Sequence, residues 1–178
     1  MKETLLQKLE RLIDQEHQIQ IGIDSSVFQN EIIEEYFLTD SVFAADEFYN
    51  IQFNDIDFRN SYFFGCKFFG CKFFGCKFSD CEFFKSQIHD SEFQDCHFFD
   101  CGLTKISFHD NIITNCDFLE SDFRVSIFLR CKFKEITFRK VQPVGFGDVG
   151  VSNCQIWKSN RYELLDNSTD FYQTFRID

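Results

Sequence analysis

Three kinds of residue in this chain could do chemistry, and each kind is regularly spaced. Eight of its nine cysteines fall at intervals of five or a multiple of five: Cys66, Cys71, Cys76, Cys81, Cys96, Cys101, Cys116 and Cys131. Thiolates could hold a soft metal, pair as disulfides or act as nucleophiles. The C-x4-C spacing differs from the C-x2-C knuckle that closes around zinc, so no metal is expected. Of the histidines His17, His89, His97 and His109, two lie 20 residues apart, His89 and His109. A ligand or acid-base pair is conceivable there, but no carboxylate or nucleophile is placed with it, so no catalytic constellation is expected. The glycines of FFGCKFFGCKFFGCKF, Gly65, Gly70 and Gly75, do not sit at a strand-to-helix turn and do not form a phosphate loop. The third kind is acidic: 29 Asp and Glu against 18 Lys and Arg, a formal charge of −11. Nine acids and no Lys or Arg lie between Ile21 and Asp57.

The element that positions all of these has a period of five, which is neither the 3.6 of a helix nor the 2 of a strand. From Ile23 to Phe138, every fifth residue is Phe, Ile or Leu through 24 slots, 18 of them Phe. Two residues before most centres from Phe68 on lies a small or apolar residue, the slot that takes eight cysteines, while Glu31 and Tyr36 leave the regularity of the N-terminal coils open. One before is mostly polar, as at Lys67, Lys72, Lys77 and Glu82. Two after come turn formers and charges, most often Gly, Asn or Asp, which tolerate tight turns. Each unit thus has two inward residues, two outward ones and a corner, the signature of a repeat architecture.

The units C-K-F-F-G and C-E-F-F-K resemble the pentapeptide-repeat family, and the resemblance covers about two thirds of the chain. It implies an all-β solenoid, a right-handed quadrilateral β-helix with one pentapeptide per side and four per coil. Coils would then stack at about 4.8 Å, with residues 20 apart one above another. Phe53, Phe73 and Phe93 make one interior column on that fold, and Phe58, Phe78, Phe98, Phe118 and Phe138 another. Cys76, Cys96 and Cys116 make a third, close enough that distance does not forbid a disulfide. An odd cysteine count without a secretory signal favours buried reduced thiols and a cytoplasmic location. The charged start and the lack of a long apolar run argue against a signal peptide or membrane span.

A solenoid needs its open ends covered. The expected organisation is an N-terminal helical cap (1–20), the repeats (21–141), a register break with final repeats (142–157) and a C-terminal cap or dimerisation segment (158–178). Residues 4 to 17 read as an amphipathic helix with a Thr4/Gln7 capping box and a stripe of Leu5, Leu6, Leu9, Leu12 and Ile13. Past QPVG a new register fits Phe146, Val151 and Ile156, with Val144, Val149 and Cys154 in the small slot, which implies a three-residue insertion. Tyr162, Leu164, Leu165, Phe171, Tyr172 and Phe175 are too apolar for a loose tail. They either cap the end or form a homodimer, since relatives dimerise end to end through such segments.

Two surface features bear on function. In the quadrilateral arrangement Glu35, Asp55, Asp95 and Glu135 form one acidic corner column, and Asp40, Asp80, Asp100 and Glu120 another. Such rows would repel nucleic acid and attract a protein built to hold it. Bacterial quinolone-resistance and immunity proteins of this family are held to act on DNA gyrase by such mimicry. Lys67, Lys72, Lys77, Lys85, Lys105, Arg130, Lys132 and Lys134 interrupt the acidic field, and acidic corners also keep a solenoid soluble. The second feature is an outward set of rings, Phe64, Phe69, Phe74, Phe84 and Phe99, with Phe84 over Phe64, which is a contact zone if contiguous. The expectation is a non-enzymatic, cofactor-free, rigid acidic scaffold for a protein partner, with no direct nucleic-acid or membrane binding. The alternative is a DNA mimic that binds gyrase. The mimic needs a continuous negative face; the scaffold predicts patchy charge and an apolar contact zone.

Overall fold

The computed structural model describes residues 3–14, 25–141 and 150–175. Within them the five-residue period becomes a four-sided β-helix of pentapeptide repeats. Each regular side of a coil is a strand of three residues, such as Gln52–Asn54 or Lys72–Phe74, with the middle residue buried and its neighbours facing out. Residues 20 apart pair in parallel, Phe53 to Phe73 to Phe93 on the second side and Phe58 to Phe78 to Phe98 on the third. Three sides form continuous sheets of seven, eight and six strands. On the first side Phe128 pairs with Val151, and on the second Phe133 with Ile156. Those intervals are three longer than 20, as the expected insertion requires. The insertion itself, with Val144, Phe146 and Val149, lies outside the described residues, as do Ile23 and His17.

All 23 corners from Asn30 to Lys140 adopt a left-handed conformation, with φ between 46° and 63°. Asn, Asp and Gly accept this readily, whereas other residues bring Cβ too near a carbonyl. Ala45, Lys85, Lys105, Val125, Arg130 and Lys140 adopt it nonetheless. The path of the coil therefore dictates the corner, and composition follows only where it can.

The fourth side departs from the pattern. Val42–Ala44 pairs with Tyr62–Phe64, but the later coils keep only isolated bridges, Tyr62 with Glu82, Glu82 with Gly102 and Gly102 with Asp122. There a tight turn replaces the strand; the Ser126 N–H donates to the Phe123 carbonyl at 3.1 Å.

The core is columns of phenyl rings. On the third side the centroids of Phe58, Phe78, Phe98, Phe118 and Phe138 follow one another at 5.0, 4.7, 4.6 and 5.0 Å, nearly parallel. Rings on adjacent sides meet edge to face, as Phe73 does with Phe78 at 6.1 Å. Both arrangements suit the ring quadrupole. All nine cysteines are buried and unpaired. Their slot is more than a small apolar space. The Cys66 thiol donates to the Phe43 carbonyl at 3.3 Å, and the Ser86 hydroxyl and Asn111 amide reach the equivalent carbonyls of Phe63 and Ile88 at 2.8 Å. The slot therefore favours short donors that satisfy a buried carbonyl of the coil before. Burial pushes the Cys66 thiol up to about 12 and Cys71 to about 11, which leaves both un-ionised at neutral pH.

Helix α1 (Leu5–Asp14) covers the N-terminal opening. Its capping box forms as expected, with the Gln7 N–H on Thr4 Oγ1 at 3.2 Å and the Thr4 N–H on Gln7 Oε1 at 2.9 Å. Leu5 and Leu9 are buried and Leu12 partly so, but Leu6 is exposed. Lys8 takes the interior position expected of Leu6, because it shares the helix face of Leu5 and Leu9. Its ammonium lies 2.7 Å from Asp46 Oδ2 and within 5.5 Å of the Phe28 and Phe43 ring centres. The Asp46 carboxylate is fully buried and also accepts the Ser26 N–H at 3.0 Å. Glu31 accepts the N–H of Leu5 at 3.0 Å, so a carboxylate closes the positive end of the helix.

At the other opening the chain turns back from Cys154–Lys158 into an antiparallel strand, Arg161–Leu165, and then helix α2 (Ser168–Phe175). Phe171 is buried and stacks on Phe128 at 5.5 Å, meeting Phe133 and Phe138 edge on. Asn167 caps this helix, accepting the Asp170 N–H at 2.9 Å.

Candidate interaction site on the solenoid surface

The eight acids singled out in the sequence are all exposed and all at left-handed corners. They do not form uninterrupted rows. Between the second and third sides the column reads Glu35, Asp55, Gly75, Asp95, Asn115, Glu135. Between the third and fourth it reads Asp40, Asn60, Asp80, Asp100, Glu120, Lys140. Three of the four interruptions act as partners. Asn115 donates to Asp95 at 2.5 Å, which with Gln94 holds the Asp95 carboxyl below its usual range. Asn60 donates to Asp40, and Lys140 lies 2.9 Å from Glu120. Glu35, Asp55, Asp80 and Asp100 make no carboxylate hydrogen bond or ion pair among the described residues.

Ion pairs between successive coils neutralise more of the rod. Lys67 reaches Glu47 at 2.7 Å, and Arg130 grips Asp110 through both oxygens at 2.6 Å, depressing the Asp110 carboxyl. His97 approaches Asp117 at 3.3 Å. The remaining charge is concentrated at one end. Met1 to Asp57 holds 13 Asp and Glu against three Lys and Arg, whereas Phe58 to Gln142 holds 11 against 12. The rod has a negative end, and its corner columns are broken along their length.

One acid lies off the corners. Glu82, half-buried on the fourth side, folds over Gly102, where an added Cβ would collide with its carboxylate. Burial, then the nearby charges of Asp122 and Asp100, push its carboxyl up, with Arg124 opposing.

The outward rings do not make one patch. Phe69 lies on the first side, Phe74 on the second, Phe99 on the third, and Phe64 and Phe84 on the fourth. Only Phe64 and Phe99 are exposed; Phe69, Phe74 and Phe84 are half-buried. The expected stacking of Phe84 on Phe64 does not occur. The Phe84 ring lies under the Lys85 and Lys105 ammoniums at 5.1 and 5.3 Å, while Phe64 leans on Tyr62 at 5.6 Å. Cation–π contact takes the place of ring stacking where the corner residues are lysines.

His89 and His109 lie one above the other, their ring centres 4.6 Å apart and their planes tilted by 45°, continuing an outer column of Tyr49 and Phe69 with stacked steps of 5.2 and 5.0 Å. Burial and His109 lower the His89 imidazole. Among the described residues no three His, Cys, Asp or Glu gather in a metal-binding arrangement. Among them, too, no helix is long and apolar enough to cross a membrane.

The six C-terminal apolar residues divide. Leu165 and Phe171 are buried, and Tyr172 and Phe175 pack partly against the same core. Tyr162 and Leu164 point outward, 40% and 63% exposed. The hairpin that presents them was not foreseen from the sequence. Its signal is the Ser159-Asn160 pair between two apolar-bearing runs, both residues at positive φ (48° and 62°) as a two-residue hairpin turn demands. Trp157 meets Tyr162 edge to face at 4.9 Å, and Lys134 and Lys132 hang over the two rings at 6.0 and 5.9 Å.

No family model matches the chain. No curated protein matches it significantly. Among solved structures, QnrB1, a plasmid-mediated fluoroquinolone resistance protein, is 13% identical, covering 73% of this chain and 81% of that one with a TM-score of 0.28. A proposed glycosyl hydrolase from Parabacteroides merdae is 8% identical over 90% and 89% of the two chains, with a TM-score of 0.43. HetL, a pentapeptide repeat protein of heterocyst differentiation regulation from the cyanobacterium Nostoc, is 10% identical over 71% and 73%, with a TM-score of 0.21. At these overlaps nothing about activity passes to this chain. Its fold stands on the register of its own coils.

Proposed function

We propose that this pentapeptide-repeat chain is a rigid, non-enzymatic scaffold that binds a protein partner through its acidic N-terminal end. The observation behind this reading is the uneven charge. Acids outnumber bases 13 to three from Met1 to Asp57, and pairs such as Asp110–Arg130 and Glu120–Lys140 balance the coils beyond. A rod held by parallel ladders and stacked rings presents those acids without ordering cost, and the negative end would steer a basic surface toward it. The test is the triple charge reversal Glu34→Lys, Glu35→Lys, Asp40→Lys. A partner retained by the native chain and eluted by salt should be lost by the variant. Retention by both would refute the role of this end.

A second reading, mimicry of DNA toward gyrase, draws on Asp80 and Asp100. These are unpartnered carboxylates on successive coils, about 4.8 Å apart. A supercoiling assay with and without a quinolone, over a salt series, tests it. Salt-sensitive inhibition or protection should disappear in Asp80→Asn, Asp100→Asn, Glu120→Gln. No effect at micromolar protein would exclude gyrase. The broken columns favour the scaffold.

A further inference from the structure

The second side of the solenoid ends unlike the others. Arg161–Leu165 adds to it as an antiparallel strand and closes an eight-stranded sheet. Among the described residues, no backbone group pairs with the far edge of that strand. Such an edge is a template for another strand, and proteins commonly guard it with proline, a bulge or a covering helix. Among the described residues none of these guards it; Phe171 and Phe175 of α2 pack on the phenyl columns of the bore. Beside the edge Trp157, Tyr162 and Leu164 are 37%, 40% and 63% exposed. Lys132 and Lys134 hold their ammoniums over the two rings, a basic rim on a chain of net charge −11.

We propose that this edge takes up, by strand addition, an extended segment of a partner protein whose every second residue, on the face shared with Tyr162 and Leu164, is acidic or apolar. The free N–H and C=O groups of Arg161–Leu165 would supply main-chain bonds. The Trp157, Tyr162 and Leu164 surface receives apolar side chains, and Lys132 and Lys134 select the acidic ones. A second copy is the poorer occupant. It brings the same lysines, and the one acid of its own strand, Glu163, is already paired with Arg161 at 3.1 Å.

Trp157 is the only tryptophan in the chain, so its emission reports on this site alone. The full chain is titrated with two synthetic peptides, one repeating Asp-Ser-Val-Ser and the other Lys-Ser-Val-Ser, so that the charged and apolar side chains share one face of the strand. The acidic peptide should shift Trp157 emission and slow amide exchange across Arg161–Leu165. The lysine peptide should bind at least about tenfold more weakly. Lys132→Glu with Lys134→Glu should invert that order while the circular dichroism spectrum stays unchanged. Equal binding of both peptides, or no binding of either, overturns the proposal. So does protection of the same amides without peptide together with concentration-dependent dimerisation in sedimentation, which would give the edge to a second copy. None of these outcomes depends on the N-terminal acids, so this site and the scaffold reading can fail separately.

Discussion

At the N-terminal end a lysine is buried beside Leu5 and Leu9 in the cap that closes the bore; at the C-terminal end the matching cap is apolar, led by a phenylalanine. Lys8 sits between Phe28 and Phe43 and depends on Asp46, buried in a slot that elsewhere holds mostly Cys, Ser or Ile. Phe171 stacks on Phe128, so α2 extends a column the coils had already built. One cap is a polar latch whose two halves need each other; the other adds one more ring to the stack. The difference shows in the repeats beneath. The first coils break the small-slot rule at Glu31, Tyr36 and Asp46, and two of these residues hold the helix above. The last coils keep the rule through Cys131 and Cys154 and need no exception to receive their cap.

The largest expected effects come from breaking each cap. Asp46→Ala strands the Lys8 charge and should cost about 3–5 kcal/mol, with the loss read as faster amide exchange in the first coil only. Phe171→Ala should cost about as much at the last coil, by emptying a ring-sized space. The contrast sharpens in the double replacement Lys8→Met, Asp46→Ser. It should restore stability to within about 1 kcal/mol of native in urea unfolding, since neither replacement carries a charge to desolvate. Failure of that rescue would mean the ion pair contributes more than its burial costs.

Smaller effects are expected at the helix end and the corners. Glu31→Gln should cost roughly 1 kcal/mol, because a neutral amide answers the positive end of α1 less well than a carboxylate. Val125→Asn should do the opposite. A β-branched residue at φ 59° and 47% exposed loses little packing on replacement, and asparagine tolerates the left-handed corner. A gain of about 1 kcal/mol should raise Tm by roughly 2–4 °C.

The smallest effect is one of pH. In the folded chain Glu82 keeps its proton to higher pH than its ordinary value of 4.5, through burial and the nearby Asp122 and Asp100. A carboxyl raised on folding stabilises below its unfolded pKa, and that contribution is lost as pH rises through the folded one. Glu82→Gln should therefore leave Tm unchanged in acid and raise it at neutral pH. A rise of equal size at both would assign the effect to packing against Gly102 instead.

Much of the interior was legible beforehand. The Phe centres, the cysteine slot, the tight-turn corners and the three-residue insertion all follow from the period, whereas the left-handed backbone at every corner is the structure's own. The candidate surface was less so. Asp95 and Glu120 read as members of acidic rows, but Asn115 and Lys140, one coil on, answer them. Phe84 read as the partner of Phe64 and lies instead under two lysines. The hairpin went unread because its turn carries neither Gly nor Pro, and its strands are short enough to pass for a tail.

By itself the sequence determined the solenoid, its register and what lies inward. A repeat that buries the same slot in every unit leaves the coil no other way to sequester its phenyls. Only the tertiary structure decided which charges meet, that Lys8 would be an interior residue, and that one strand edge would stay open. Those outcomes depend on side chains a full coil or more apart in sequence, such as Asp110 with Arg130 or Lys8 with Asp46, meeting across stacked coils or a cap. No local pattern encodes the rotamers that bring them together.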